Sequence, residues 1–331
     1  MKRILHVMYS LERSGMETML LSSGKEWLRH GYRSDIVATM PPFRSIEEWA
    51  RLREAYWDSI ASSDERRPFN RDLLANTRAL CELDSIVVWV GVGAAEQLLL
   101  AWMVKLLKLI GSRAQIQVVQ FTRTGRYNAD VWGLGLLNPD QLKHHPPAQP
   151  VAAETLLELE RLWDRVTSPD PAGLLSVLSE ETARLQHSRA SLKSLVHRYP
   201  DYQTGLGRWE SELLKRTQEK GPRAARIIGE VIGLNFDADL VGDLVLFARL
   251  HQLASPDLAH PLVTLSGDPH DLRNCQVALT EAGESVLAAR ANAVELNGID
   301  DWVLGVHLDS RHGSVWYHKN GTLVAGRGDE T

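Results

Sequence analysis

The stretch that most constrains the fold is "SIVVWVG" (85–91), an apolar and largely β-branched run closed by glycine. β-branched side chains favour a pleated backbone. A strand with no polar alternation has no face to give to water, so it belongs inside a sheet covered on both sides. "AAEQLLLAWMVKLLKLI" follows (94–110), and then a further strand, "QIQVVQF" (115–121). Strand, helix, strand implies a parallel crossover. The helix is too short and, with Lys105 and Lys108, too charged to span a bilayer, so it is expected to be buried in protein.

Other segments extend the pattern. Residues 4–9 read as a buried first strand, 15–30 as a helix, and 34–40 as a strand stopped by Pro41-Pro42. Residues 45–60 form an amphipathic helix, with Ile46, Trp49, Leu52, Tyr56 and Trp57 in one stripe and Ser45 with Glu48 as a capping pair. A further helix is expected over 71–83. Residues 1–145 are therefore expected to form a Rossmann-like α/β domain, a parallel sheet with helices on both faces. A helical region, 146–221, follows, with periodic segments at 152–168, 171–199 and 208–221. In residues 222–331 the order is helix (223–233), helix (238–254), strand, loop, strand, helix, with Thr280 as N-cap of the last. That order is winged-helix-like. "VWYHKNGTLV" (315–324) adds a hairpin, because Asn320-Gly321 suits a turn with two positive φ values.

Charge and cysteine narrow the setting. The 331 residues carry a net charge of -5, so no overall basic field draws the chain to nucleic acid or anionic lipid. From 222 onward there are 8 Lys or Arg against 15 Asp or Glu, a balance of -7. The expected recognition helix holds Asp239 and Asp243 against Arg249 alone, whereas a DNA reader needs cations there. DNA is therefore not an expected partner, and the region reads as one for protein contact. Two distant cysteines, Cys81 and Cys275, make neither a disulfide framework nor a CxxC site, which suits a cytoplasmic protein. The short apolar run after Lys2-Arg3 matches neither a secretion signal nor a spanning helix.

Two resemblances bear on function. "ILHVMYSLERSGMETML" (4–20) resembles the start of retaining two-domain (GT-B) glycosyltransferases, where such a loop faces acceptor and donor phosphate. Those enzymes hold the nucleotide sugar with two glutamates eight positions apart in a second Rossmann-like half. No two glutamates here have that spacing, and the chain turns helical and then winged. From about 41 to 324, "IVVWVGVGAAEQLLLAW", "WGLGLLNPDQL", "SPDPAGLL", "YPDYQTGLGRWE" and "VALTEAGESVLAARANAVELNGIDDWVLGVHL" occur in order. This series resembles an uncharacterised bacterial family of unknown function that pairs an α/β domain with a winged-helix-like one. That family opens on a strand and a Gly-Asp-Ser-type turn, which "SLERSGMET" replaces, and it implies no particular reaction.

In a Rossmann-like fold, ligands sit at the carboxyl edge of the sheet, and helix N-termini there favour anions. Three polar, glycine-bearing turns fall at expected strand ends. The first holds Ser14 and Gly15. The second holds Gly91, Gly93 and Glu96, with Gln97 beside them. The third, "FTRTGRYNADVWGLG" (121–135), holds Thr122, Arg123, Thr124, Arg126 and Asp130. Arginine forks at a strand end suit phosphate or carboxylate. The expected ligand is a nucleotide or another phosphate-bearing small molecule, bound by Ser14, Gly15, Gly91, Gly93, Glu96, Arg123 and Arg126. The sequence names no catalytic residue or cofactor. A metal is not expected: His307, His312 and His318 with Asp309 match no established spacing, and His144-His145 lie in a linker. Asn297, Asp300, Asp301 and Trp302 read as turn chemistry around an aromatic anchor. A protein-interaction role for the winged region and a glycosyltransferase-like activity are the alternatives.

Overall fold

A computed structural model describes residues 4–7, 45–60, 80–124, 129–180, 184–234, 239, 241–313 and 315–327. It is a mixed α/β structure and divides into two compact units, one reaching Lys193 and the other beginning at Ser194. Asp239 groups with the first. The helix expected over 15–30, the strand over 34–40 and the helical residues 71–79 lie outside the described set.

The first unit is built on a four-stranded sheet of order β1-β2-β3-β6. The strands are β1 (Ile4–Val7), β2 (Ser85–Val90), β3 (Gln115–Gln120) and β6 (Gln149–Pro150). β1, β2 and β3 run parallel, in register from Ile4 opposite Ser85 and from Ser85 opposite Gln115. β6 is antiparallel to β3 through two residue pairs, so the sheet is mixed where an all-parallel one was expected. Its Pro150 has no N–H to give a further strand, which suits an edge position.

β2 is buried at every position, as its lack of alternation implies. Its side chains divide between two faces. Val87 and Trp89 join Val119, Phe121, Val131, Leu134, Leu137 and Leu142 in one cluster. Among the described residues this face is covered by segment 131–142, a 3-10 turn (Leu134–Leu136) and the short helix α3 (Pro139–Lys143), rather than by a long helix. Helix α2 (Ala94–Leu109) packs on β2 and buries nearly its whole length. It is flanked by α1 (Ile46–Ile60), α4 (Ala153–Val166) and α6 (Gln186–Leu192). Ser45 Oγ accepts the Glu48 N–H at 3.1 Å, so the expected cap of α1 forms. Trp49 lies 4.7 Å from Trp102, ring centre to ring centre, while the side chains of Tyr56 and Trp57 fall outside the described set. The two lysines of α2 reach α4, Lys105 to Asp164 at 2.8 Å and Lys108 to Glu160 at 2.6 Å. They sit at the margin of a buried helix, held by its neighbour.

The helix expected over 171–199 is broken. The chain forms α5 (Ala172–Ser179), then α6, then a 3-10 stretch (Lys193–Arg198). Arg189 of α6 donates to the Val177 and Leu178 carbonyls at 3.2 Å each, so the last turn of α5 is satisfied by a side chain that a continuous helix would have carried away.

The second unit contains α7 (Arg208–Lys220), α8 (Ala224–Gly233) and α9 (Asp243–Leu253). The hairpin β7 (Val263–Gly267) and β8 (Cys275–Leu279) and helices α10 (Glu281–Leu287) and α11 (Ala293–Asn297) follow. Between α7 and α8, Arg223 forms a single antiparallel bridge to Gln276 and the Val277 N–H donates to the Pro222 carbonyl at 2.7 Å, which ties this connection to the hairpin's edge. α9 starts at Asp243 after Gly242, five residues later than the periodicity implied. Thr280 caps α10 as expected, its Oγ accepting the Gly283 N–H at 3.0 Å. Two hairpins end the unit: β9 (Asp300–Val303) with β10 (Val306–Asp309), and β11 (Trp316–Lys319) with β12 (Thr322–Ala325). Asn320 and Gly321 turn the latter with φ of 51° and 80°, the conformation that Asn-Gly signalled.

The loop that opens this unit is closed by its end. Tyr202 N–H donates to the His318 carbonyl at 2.9 Å, and His318 N–H to the Pro200 carbonyl at 2.8 Å. Buried Asn292 caps α11 through Oδ1, and its Nδ2 donates to the Gln203 carbonyl at 3.1 Å.

Candidate functional site

The sheet's carboxyl edge carries a compact polar knot. Val90 ends β2, and Gly91–Gly93 lead into α2, of which Gly93 is the N-cap. Glu96 is the third helical residue, from which a side chain can reach back past the helix start. Its Oε2 accepts the Gly91 N–H, and its Oε1 accepts the Leu134 N–H at 2.7 Å. The loop after β3 closes on the same place. Phe121 N–H donates to the Val90 carbonyl at 2.8 Å, Val131 N–H to the Thr122 carbonyl at 3.1 Å, and Val92 N–H to the Val131 carbonyl at 2.7 Å. A Cβ on Gly91 would collide with the Val131 carbonyl oxygen, so close backbone approach is what this glycine provides.

A second tier surrounds the carboxyl. Gln97 Nε2 donates to the Gly91 carbonyl at 2.6 Å and to Gln120 Oε1 at 3.1 Å, while its Oε1 accepts Ser188 Oγ–H at 2.8 Å. Gln120 Nε2 donates to the Gly91 carbonyl at 3.0 Å and to the Phe121 carbonyl at 2.9 Å. Glu96, Gln97 and Ser188 are each 2% exposed, so this is interior chemistry. Burial pushes the Glu96 carboxyl up to about 7, and the Leu134 and Gly91 N–H groups oppose that by favouring the ion.

Two short strands extend outward from the knot. β4 (Arg123–Thr124) pairs with β5 (Ala129–Asp130), and Arg123 Nε meets Asp130 Oδ1 at 3.3 Å. Both side chains are well exposed. His187, on the first turn of α6, is held below its ordinary value by burial, against the charge of Asp130.

Of the residues expected to bind a ligand, the structure thus brings Gly91, Gly93 and Glu96 into the knot and sets Arg123 on the strand pair beyond it. Ser14, Gly15 and Arg126 lie outside the described residues, as does the Thr124 side chain. Gln120, His187 and Ser188 were missed by sequence reasoning. His187 and Ser188 come from a helix far along the chain and belong to no local motif.

In the second unit α9 exposes only Asp243 and Gln252. Its Arg249 is committed to Asp301, and to Glu210 Oε1 at 3.4 Å. Burial raises the Glu210 carboxyl, with Arg249 opposing. On the β9–β10 hairpin, ligand atoms of Asp300, His307 and Asp309 lie within 4.8 Å of one another. His307 Nε2 is 2.8 Å from Asp300 Oδ1 and its ring stacks on Trp302 at 4.5 Å. Arg311 pairs with Asp300, and with Asp309 Oδ1 at 3.1 Å, and His312 Nδ1 is 2.7 Å from Asp309 Oδ2. The guanidinium already supplies the positive charge that these carboxylates share. His318 is on the other hairpin, with its ring against His197 at 4.4 Å.

No protein-family model matches the chain, and no curated protein matches it. Among the described residues, no helix is long and apolar enough to cross a membrane.

Proposed function

We propose that the first unit is a Rossmann-like binding module for a phosphate-bearing small molecule, a nucleotide being the leading class, taken at the carboxyl edge of its sheet. One observation carries this reading. The loops after β2 and β3 are tied to a single buried carboxyl, Glu96, so Arg123 and Asp130 extend from a fastened base, and His187 lies next to Ser188, which is bonded to Gln97 of the same knot. Pre-organisation of that kind lowers the entropic cost of binding. Glu96 and Gly91 hold the site rather than contact the ligand, and Arg123 is the anion-facing group. The test is a thermal-shift series of nucleotides, sugar nucleotides and inorganic phosphate. A member of the series should raise the melting temperature, and Arg123→Ala should abolish that rise. No shift with any member would sink the proposal.

A second reading assigns protein contact to residues 208–287 of the second unit. We read α7, the bridge at Arg223, α8, α9, the β7–β8 hairpin and α10 as winged-helix-like. The helix that would read DNA is packed, and its arginine is bound to two carboxylates. With the acidic balance of this region, that favours a protein partner over a phosphate backbone. Retention of the full chain on a heparin or DNA column at low salt would overturn it. The glycosyltransferase alternative gains no support, since among its described residues the second unit pairs its strands in antiparallel hairpins.

A further inference from the structure

Helices α4, α5 and α6 of the first unit enclose a cleft of about 190 Å³, separate from the sheet edge. Its floor is apolar: Leu162, Val177 and Leu185 are 2%, 4% and 8% exposed. Its walls carry Arg161, Arg165 and Arg189 with Glu158 and Glu180. Both carboxylates are already matched, Glu180 by Arg165 and Glu158 by Arg184 at 2.8 Å. Arg189, which lines the cleft, is fixed by its bonds to the Val177 and Leu178 carbonyls through Nε and Nη2, and these leave Nη1 uncommitted among the described residues. Neither Arg161 nor Arg189 has a carboxylate partner among the described residues. The cleft therefore combines two guanidinium groups that no carboxylate pairs among the described residues with an aliphatic floor.

We propose that this cleft binds a small organic acid, with its carboxylate between Arg161 and Arg189 and a short aliphatic chain over Leu162, Val177 and Leu185. A guanidinium fork matches a carboxylate in plane and charge. The apolar floor selects against inorganic phosphate, which has no surface to bury there. The volume falls below the roughly 300–1,000 Å³ of drug-sized sites, which restricts the ligand to a few carbons.

Calorimetric titration of the full chain with hexanoate, hexanamide and inorganic phosphate tests this. Hexanoate should bind saturably, with hexanamide and phosphate at least about tenfold weaker. Arg161→Ala, at an exposed position, and Arg189→Gln should each weaken hexanoate about tenfold or more. Arg123→Ala should leave hexanoate unchanged, so the outcome is independent of the sheet-edge site. The proposal is overturned by any of three results: absence of hexanoate binding, equal binding of amide or phosphate, or hexanoate affinity that neither arginine substitution changes.

Discussion

Two of this protein's carboxylate networks use the same chemistry to opposite effect. At the edge of the first unit's sheet, Glu96 is interior and bound only by neutral N–H groups, and its carboxyl is pushed up to about 7. On the β9–β10 hairpin of the second unit, Asp309 is bound by the Arg311 guanidinium and by His312, and its carboxyl is held well below its usual range. Removal from water disfavours the ion in the first case, and a charged partner favours it in the second. The buried network holds backbone in place and is costly to disturb. In the other the Asp309 side chain is 11% exposed but its partners Arg311 and His312 are 64% and 76% exposed, so the interaction is screened by solvent and contributes little to stability. Similar lists of hydrogen bonds thus describe an interior tie and a surface cluster, and the charge and exposure of the partner groups separate them.

The comparison breaks if the buried tie proves dispensable. Gly91→Ala forces a methyl group into the Val131 carbonyl and against Glu96, and should cost on the order of 3–4 kcal/mol, read as a lower urea midpoint. The next effect is on pH dependence. Because the Glu96 carboxyl is raised from 4.5 to about 7, its contribution is fully present below pH 4.5. It shrinks as pH rises towards 7, by about 3 kcal/mol in all, and is flat beyond. Glu96→Gln should remove that slope, which the difference between the two proteins' urea midpoints across this range measures. An unchanged slope would mean that the carboxyl is hydrated in solution.

Arg249 sharpens the contrast from an intermediate position, since it and Glu210 are each mostly buried. Arg249→Met should destabilise the second unit by about 2 kcal/mol, because it leaves the Glu210 and Asp301 carboxylates without their shared cation. Thermal melts of the two proteins would show it. The smallest effect belongs to the exposed network. Arg311→Ala should leave the melting temperature unchanged while the Asp309 carboxyl returns towards 3.8, a change that carbon-detected NMR titration reads directly. The sign is the reverse of that for Glu96: this interaction is present above pH 3.8 and lost in acid.

Local signals in the sequence foretold much of this. An uninterrupted β-branched run marked β2, the capping pair Ser45 and Glu48 marked α1, and Asn320-Gly321 marked the last hairpin. Each is set by neighbours within a few residues. The break within 171–199 was not legible, because apolar spacing persists across it and the side chain that terminates α5 comes from α6. Gly91 and Glu96 were visible as a pair, but their role was not. Whether a glutamate after a strand faces a ligand or two backbone amides depends on where residues 131–134 return. Nor could sequence bring Ser188 to Gln97, since contact across 91 residues is a property of the assembled helices.

The loop that opens the second unit has a consequence for how the protein is made. Pro200 and Tyr202 find their backbone partners on His318, and Gln203 finds its partner on Asn292, 89 residues later. A ribosome delivers the chain from its first residue at about 5–20 residues per second. The opening loop therefore leaves the exit tunnel several seconds before its partners exist, and the unit closes only after His318 has been made.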